Sequence, residues 1–268
     1  MSRSRTRRFL VTQVTADGAG RRPDDLIVEE PMTIQLDGTT VSTTMRTPGH
    51  DFELAVGFCH TDGLLGGAPV RGVRYCGTGS AAETEFNVVT VETAGVAPAP
   101  TPRLGTTSSS CGWCGSDQLD DLSERMSPLT PTEPMPLELL RRVPGLVADR
   151  QELFDATGAV HAAAVFGRDG TITLVREDVG RHNAVDKVVG AMLLAGNLPA
   201  SGLGLFVSGR ASVEMVQKAW AAGFGTLVAV SAPTALAVDA ARRSGLTLAG
   251  FVRGDRLNVY APERIEPA

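Results

Sequence analysis

Hydrophobic and polar positions follow two different patterns along the 268 residues of this chain. From Phe9 to about Val91, short alternating segments rich in β-branched residues indicate strands, and Asp37-Gly38 between two of them predicts a hairpin. A helical apolar stripe over His50–Cys59 interrupts this pattern. The first third of the chain is therefore predicted to be rich in β-structure.

From Leu137 the pattern changes to alternating helices and strands. Such alternation is typical of a layered α/β domain with a largely parallel or mixed sheet. The predicted strands are Ala162–Phe166, Thr171–Val175, Leu203–Val207, Leu227–Val230, Leu246–Phe251 and Leu257–Tyr260. The predicted helices are Leu137–Leu153 (interrupted at Pro144-Gly145), Ala184–Leu193, Ser212–Ala222 and Ala235–Arg243.

Changes in composition divide the chain into four regions. Residues 1–25 are expected to be a basic, disordered tail, and residues 26–105 a β-rich N-terminal region. Proline-rich stretches on both sides of a cysteine pair suggest that residues 106–136 form a mobile loop and linker. Residues 137–268 are expected to form the α/β domain.

Composition and charge narrow the class of protein. Hydrophobic residues make up 43% of the chain and charged residues 21%, which is typical of a globular protein. No apolar run approaches the roughly 20 residues that cross a bilayer. The net charge of −5 gives no general attraction to nucleic acid or anionic membranes. The arginines near the N-terminus lack the apolar segment of an export signal, so we expect a cytoplasmic protein.

Cys111 and Cys114 form a CxxC pair. This spacing suits half of a metal site, a reversible disulfide, or a nucleophile with a resolving partner, and a surface pair without a role is also possible. Cys59 and Cys76 are 17 positions apart and offer no paired spacing for a zinc ribbon. The neighbouring Gly112 and Gly115 allow close approach of a partner, which favours a functional thiol.

Several basic or small polar segments follow predicted strands. In open α/β sheets, ligands collect beyond the carboxyl ends of the strands, so these segments are expected to line one crevice that binds a polyanion. For Arg176–Asn183, ordinary capping of the following helix is an equally good explanation. His161, which precedes an apolar strand, is interpreted as a core or edge histidine. The segments are Arg176–Asn183, Ser208-Gly209-Arg210, Ser231-Ala232-Pro233 and Phe251–Arg256.

Several of these segments together resemble the signatures of one family, the formate dehydrogenase accessory proteins of the FdhD/NarQ family. The matches run in order from about Val28 to Arg264. The segments that carry the resemblance are Arg46-Thr-Pro-Gly-His-Asp51, Ser110-Cys-Gly-Trp-Cys-Gly115, Arg176-Glu-Asp-Val-Gly-Arg-His-Asn-Ala-Val-Asp-Lys187, Ser208-Gly-Arg-Ala-Ser-Val-Glu-Met215, Ser231-Ala-Pro233 and Gly250-Phe-Val-Arg253.

The resemblance implies a sulfur carrier, or sulfurtransferase. A cysteine desulfurase would pass sulfur to Cys111 as a persulfide, with Cys114 as its partner. The sulfur would then go to a molybdenum or tungsten bis-pyranopterin guanine dinucleotide cofactor for the formate dehydrogenase catalytic subunit, and GDP would mimic that ligand. The residues expected to bind it are Phe251, Val252, Arg253, Gly254, Asp255, Arg256, Asp178, Arg181, His182, Ser208, Gly209, Arg210 and Ser231.

The resemblance also implies a homodimer and an α/β domain like that of cytidine deaminase, beside a smaller β-rich domain. A zinc deaminase needs H-x-E followed by P-C-x-x-C. Here His161-Ala162-Ala163 lacks the glutamate, so no metal site is expected. The alternative function is a non-catalytic chaperone that binds the cofactor for the apoenzyme. A redox or zinc protein is a third hypothesis.

Overall fold

The computed structural model describes residues 4–76, 81, 84–99, 115–133 and 135–261, without the side chains of 115–118 and 121. Twelve strands and seven helices lie in these residues. None of the helices in this described part is long and apolar enough to cross a membrane. The predicted nucleophile Cys111 and its partner Cys114 lie outside the described residues.

The chain begins with an antiparallel hairpin, where the sequence analysis expected a disordered basic tail. Strands β1 (Thr6–Thr15) and β2 (Gly18–Ile27) pair over their whole length. The expectation of disorder is wrong because the charged pair Arg7-Arg8 is followed by a segment rich in β-branched and apolar residues, which forms most of β1. In addition, Arg8 is matched across the strands by Asp25 at 2.7 Å.

A four-stranded sheet and one helix follow the hairpin. The sheet has the order β4-β3-β6-β5, and its buried face packs against α1. The hairpin predicted at Asp37-Gly38 is confirmed, and both residues have positive φ, 47° and 86°. The elements are β3 (Glu30–Leu36), β4 (Thr39–Arg46), α1 (Asp51–Thr61), β5 (Gly72–Tyr75) and β6 (Val88–Glu92).

The rest of the chain forms a six-stranded sheet covered by helices on both faces. The predicted mixed sheet is confirmed, because β9, β10 and β11 are parallel and the other pairs are antiparallel in the order β12-β11-β10-β9-β7-β8. The helices are α2 (Gly115–Arg125), α3 (Leu137–Ala148), α4 (Glu152–Thr157), α5 (Arg181–Leu194), α6 (Val213–Ala221) and α7 (Ala235–Ser244). The strands are β7 (His161–Phe166), β8 (Ile172–Asp178), β9 (Gly204–Val207), β10 (Thr226–Ala229), β11 (Thr247–Arg253) and β12 (Arg256–Ala261).

Alternation along the central strands divides the core into two layers. Leu205 and Val207 of β9 pack with α5, α6 and α7, whereas Phe206 between them packs with α3 on the opposite face. Successive side chains of a strand point to opposite faces, so a continuous apolar strand fills both layers. This explains why the central strands are uniformly hydrophobic.

Helix α3 differs from its prediction. The sequence analysis expected an interruption at Pro144, but the helix continues through this residue to Ala148. Proline removes one backbone hydrogen bond from a helix. Val143 and Val147 lie on either side of it and are fully buried, so burial of the apolar face of α3 offsets that loss.

Helices α1 and α5 hold the N-terminal unit against the α/β domain. A Cβ atom on Gly57 would lie 1.8 Å from the carbonyl oxygen of Asp186, and one on Gly190 would lie 1.8 Å from that of Glu53. The two helices therefore meet backbone to backbone, which only glycine permits. This contact fixes the position of α1 relative to α5 and so to the six-stranded sheet.

Candidate functional site

One edge of the six-stranded sheet carries a cavity of about 520 Å³. Strand β7 is antiparallel to both neighbours, so its first residue lies at the same edge as the ends of β8 and β9. The lining is largely apolar with a few polar groups, a combination typical of small-ligand sites. The lining includes Gln151, Phe154, His161, Phe206, Ser208 and Val230.

His161 and Ser208 form the polar centre of this cavity. The Ser208 Oγ accepts the N–H of Ala162 at 2.9 Å and lies 3.3 Å from Nδ1 of His161. Because burial and the charge of Arg181 lower the pKa of His161, its imidazole is neutral at pH 7. The Ser208 hydroxyl and Nδ1 share a hydrogen bond whose donor depends on the tautomer of the neutral ring.

The loops that follow β9 and β10 and the end of β11 are joined by backbone hydrogen bonds. Ser231 N–H donates to the Gly209 carbonyl at 3.3 Å, and Phe251 N–H donates to the Ser231 carbonyl at 3.2 Å. The structure therefore brings together three of the four segments that the sequence analysis placed in one crevice. Phe251 has a φ of 53°, which is unusual for a bulky residue, and its side chain is 48% exposed.

The arginines of these segments lie in two places. The Cδ atom of Arg181 would be 3.5 Å from a Cβ atom on Gly209, as would Nδ1 of His161, so Arg181 borders the cavity. Within the described chain its buried Nε has no hydrogen-bond partner. Arg253 and Arg256 stand opposite each other in the register of the β11–β12 hairpin, and both are exposed. They follow Phe251 along the chain.

Asp178 lies beneath the site, not on its surface. It is fully buried, and its carboxylate accepts N–H groups of Gly180 at 2.8 Å and Thr47 at 3.1 Å and the amide of Asn183 at 3.0 Å. Lys187 Nζ lies 2.6 Å from the same carboxylate. Asp178, which was expected to bind the ligand, thus positions the start of α5.

His182 follows Arg181 at the start of α5 and is partly buried. Burial, together with Arg181 and Lys218, lowers the pKa of His182 to about 4. Its imidazole is therefore neutral at pH 7. On the neighbouring helix α6, Glu214 partly opposes these two cations.

The remaining residues of the Arg176–Lys187 run also hold elements together. Arg176 binds Glu53 of α1 through two hydrogen bonds of 2.5 and 2.8 Å. The Glu177 carboxylate accepts the N–H groups of Leu153 and Phe154 at the start of α4. This run therefore fixes both the N-terminal unit and the helix that covers the cavity.

The sequence analysis missed the roles of His161, Gln151 and Phe154 in lining the cavity. His161 was interpreted as a core or edge histidine, and a serine 47 positions away carries no signal in a single sequence. Gln151 stood near the end of the predicted helix Leu137–Leu153, and Phe154 directly followed it. The end of α3 at Ala148 and the start of α4 at Glu152 could not be deduced from apolar spacing alone.

Cys59 is unsuited to thiol chemistry. It is fully buried in α1, and burial together with the nearby carboxylates of Asp62 and Asp186 raises its pKa to about 12. A thiol reacts as its thiolate, so Cys59 is inert at neutral pH. Cys76 is also buried. Among the described residues, no group of three or more His, Cys, Asp or Glu is placed to hold a metal ion.

Comparison with known proteins assigns the chain to a family. It is 46% identical over 262 residues to the "Sulfur carrier protein FdhD" of Mycolicibacterium paratuberculosis, covering 95% of this chain and 96% of the relative. The protein of the same name from Streptomyces avermitilis is 47% identical over 266 residues, covering 96% and 94%.

A solved structure shares the fold. The putative formate dehydrogenase accessory protein from Desulfotalea psychrophila matches with a TM-score of 0.79 and 24% identity, covering 98% of this chain and 100% of that one. This likeness confirms the predicted α/β class. The FdhD/NarQ family model matches residues 27–266, which include the whole six-stranded sheet and the edge that carries the cavity, and the chain therefore belongs to the FdhD/NarQ family.

Proposed function

We propose that this chain is a sulfur carrier for the maturation of a formate dehydrogenase. The observation that carries the proposal is the Cys111-x-x-Cys114 pair in a chain that is 46% identical, over 95% of its length, to a protein named as a sulfur carrier. Cys111 accepts sulfur as a persulfide from a cysteine desulfurase. It then passes the sulfur to a molybdenum or tungsten bis-pyranopterin guanine dinucleotide, which is the substrate.

Two thiols are sufficient for this chemistry. The Cys111 thiolate attacks the outer sulfur of the donor's persulfide, the donor S–S bond breaks, and the donor cysteine leaves as a thiolate. Attack of Cys114 on the Cys111 sulfur then releases the outer sulfur as hydrosulfide and leaves a Cys111–Cys114 disulfide. The two thiols supply both electrons, so this release needs no further reductant.

The cavity at the sheet edge is suited to one nucleotide arm of the substrate. Its apolar walls favour a flat heterocycle, and the imidazole of His161 offers a hydrogen-bonding group. Arginine binds phosphate with two hydrogen bonds in a fixed fork, and Arg181 borders the cavity. Two copies of the chain in a homodimer would provide one cavity for each of the two arms.

Arg210, Arg253 and Arg256 provide the test of where the phosphates bind. Arg210 is exposed in the loop after β9, and Arg253 and Arg256 are exposed at the end of β11 and the start of β12 in the same sheet. We expect Arg253→Ala and Arg256→Ala each to weaken GDP binding about tenfold or more, measured by calorimetry. GDP affinity equal to that of the unchanged chain in both variants would contradict this placement of the phosphates.

The sulfur-carrying role is tested with the cysteines alone. Cells that lack their own accessory protein are complemented with the unchanged chain, Cys111→Ala or Cys114→Ala, and formate dehydrogenase activity is measured beside GDP binding. Loss of activation in Cys111→Ala with unchanged GDP affinity supports sulfur transfer. Full activation by Cys111→Ala would instead support the non-catalytic chaperone.

A further inference from the structure

The N-terminal hairpin has no partner strand. Strands β1 and β2 form a sheet of their own and pair with no other strand in the described part of the chain. Each strand has ten residues, so the hairpin extends about 30 Å. An isolated two-stranded ribbon is only marginally stable in water, and its open edges are templates for pairing with another chain.

The hairpin exposes apolar side chains along one face. None of its twenty residues is buried in the described structure, and Leu10 is 57% exposed and Val14 75% exposed. Leu10 lies opposite Pro23, and Val14 lies opposite Ala19. These four residues share a face and form two apolar pairs towards the tip of the hairpin, with the Thr12–Arg21 pair between them. Exposed apolar pairs of this kind are typical of an interaction surface.

The two outer edges of the hairpin differ. Strand β2 contains Pro23, which has no N–H to donate, whereas β1 contains no proline. The outer edge of β1 therefore offers a complete row of backbone donors and acceptors, and it is the edge suited to a further strand.

Charge indicates which chain supplies that strand. Residues 1–27 contain six arginines and three aspartates, a charge of +3, so the remaining residues carry −8 of the total of −5. A hairpin of one copy that extends towards the body of a second copy brings opposite charges together. Antiparallel pairing of two β1 strands does this, because it places the tip of each hairpin at the base of the other.

We propose that the hairpin is a dimerisation arm whose β1 strand pairs antiparallel with β1 of a second copy of this chain. A register centred on Thr12 places Leu10 opposite the partner's Val14, so the apolar pairs of the two copies form two rows across the four strands, one on each side of the central Thr12 row. The same register places Arg7 and Arg8 of one copy beside the β1–β2 turn of the other copy, away from the arginines in the β1 strand of that other copy. The proposal rests on the homodimer of the proposed function, but not on sulfur chemistry.

Sedimentation of the full chain tests the association. We expect the unchanged chain to be a dimer, and Leu10→Lys/Val14→Lys to raise its dissociation constant at least about tenfold, because lysine on an exposed edge opposes pairing. The matched control is Val96→Lys/Leu194→Lys, which changes two exposed apolar residues outside the hairpin and should leave the dimer intact. A monomeric unchanged chain, or a dimer that both double variants leave equally tight, would overturn the proposal.

A cysteine placed on the twofold axis tests the register. In a Cys111→Ala/Cys114→Ala background, Thr12→Cys should form a disulfide with its own copy under mild oxidation, located by peptide mass. Ala19→Cys, on the other strand, should not. Absence of the Thr12→Cys product overturns the pairing. This readout involves neither persulfide nor cofactor, so its failure is distinct from failure of the sulfur-carrying role.

Discussion

The ammonium group of Lys187 lies 2.6 Å from the carboxylate of Asp178, and both side chains are fully buried. Lys187 also donates to the Thr47 carbonyl at 2.9 Å. The pair therefore joins β8, the start of α5 and the Thr47 segment of the N-terminal unit. Asp178, which was expected to bind a ligand, thus holds the site in place, whereas Arg181 of the same run borders the cavity.

Breaking this pair should destabilise the protein strongly. Asp178→Asn leaves the Lys187 charge buried without a counter-charge, and removal of one partner of a buried pair costs about 3–5 kcal/mol. Asp178→Asn/Lys187→Met should lose less than the sum of the two single changes. Urea unfolding measures the free energy of unfolding of Asp178→Asn, of Lys187→Met and of the double variant. Additive losses would show that the two charges do not interact.

The contact between α1 and α5 should not tolerate a methyl group. Gly57→Ala forces the new Cβ into the backbone of Asp186, so we expect a loss of about 3 kcal/mol or more, or failure to fold. Gly145→Ala is the matched control, because that helical glycine has open space around its Cβ position. It should stabilise the chain by about 0.5–1 kcal/mol. Similar melting temperatures for the two variants would contradict the close contact.

His182 should make stability depend on pH. Its pKa of about 4 in the folded chain lies below its ordinary value of 6.5, so the unfolded chain binds the proton more readily. The free energy of unfolding contributed by the neutral form of His182 is fully present above pH 6.5. It is lost as the pH falls from 6.5 towards 4, and the loss is at most about 3 kcal/mol. His182→Gln should flatten the curve of unfolding free energy against pH in this range. An unchanged slope would show that His182 is not held in the neutral form.

His161 should act on ligand binding as an oriented hydrogen-bonding group. We expect His161→Ala to weaken GDP binding about tenfold, and His161→Gln to weaken it less because its amide can form a hydrogen bond from a similar position. Ser208→Ala removes the hydroxyl that holds the ring through Nδ1, so its affinity should be intermediate. Calorimetry gives the affinities, and circular dichroism checks that each variant is folded. Unchanged affinity in His161→Ala would place the nucleotide outside this cavity.

Much of the α/β domain could be predicted from periodicity, because its central strands are short apolar runs bounded by turn residues. The β7–β8 and β3–β4 hairpins followed from Asp-Gly turns. The path of α3 through Pro144 could not be deduced, because tertiary burial outweighed a local helix breaker. The alternation from Phe9 indicated a strand, which β1 confirms, but its pairing with β2 was missed because composition suggested a tail, although Arg8 and Asp25 stand opposite each other.

The candidate site was predicted only in part. Strand-end loops were correctly placed at one edge, because parallel strands bring their carboxyl ends together. The His161–Ser208 contact depends on β7 running antiparallel to β9, which no local pattern reveals. Asp178 looked like a ligand-binding residue because a single sequence does not distinguish a buried carboxylate from an exposed one.

If Cys111 carries sulfur, the persulfide adds one sulfur atom to the mass of the chain, and intact-mass spectrometry detects it directly. The full chain and Cys111→Ala are incubated with a cysteine desulfurase and cysteine, and their masses are compared. We expect a gain of roughly 32 Da, one sulfur atom, in the unchanged chain and no gain in Cys111→Ala. No gain in the unchanged chain, or an equal gain in both proteins, would contradict it.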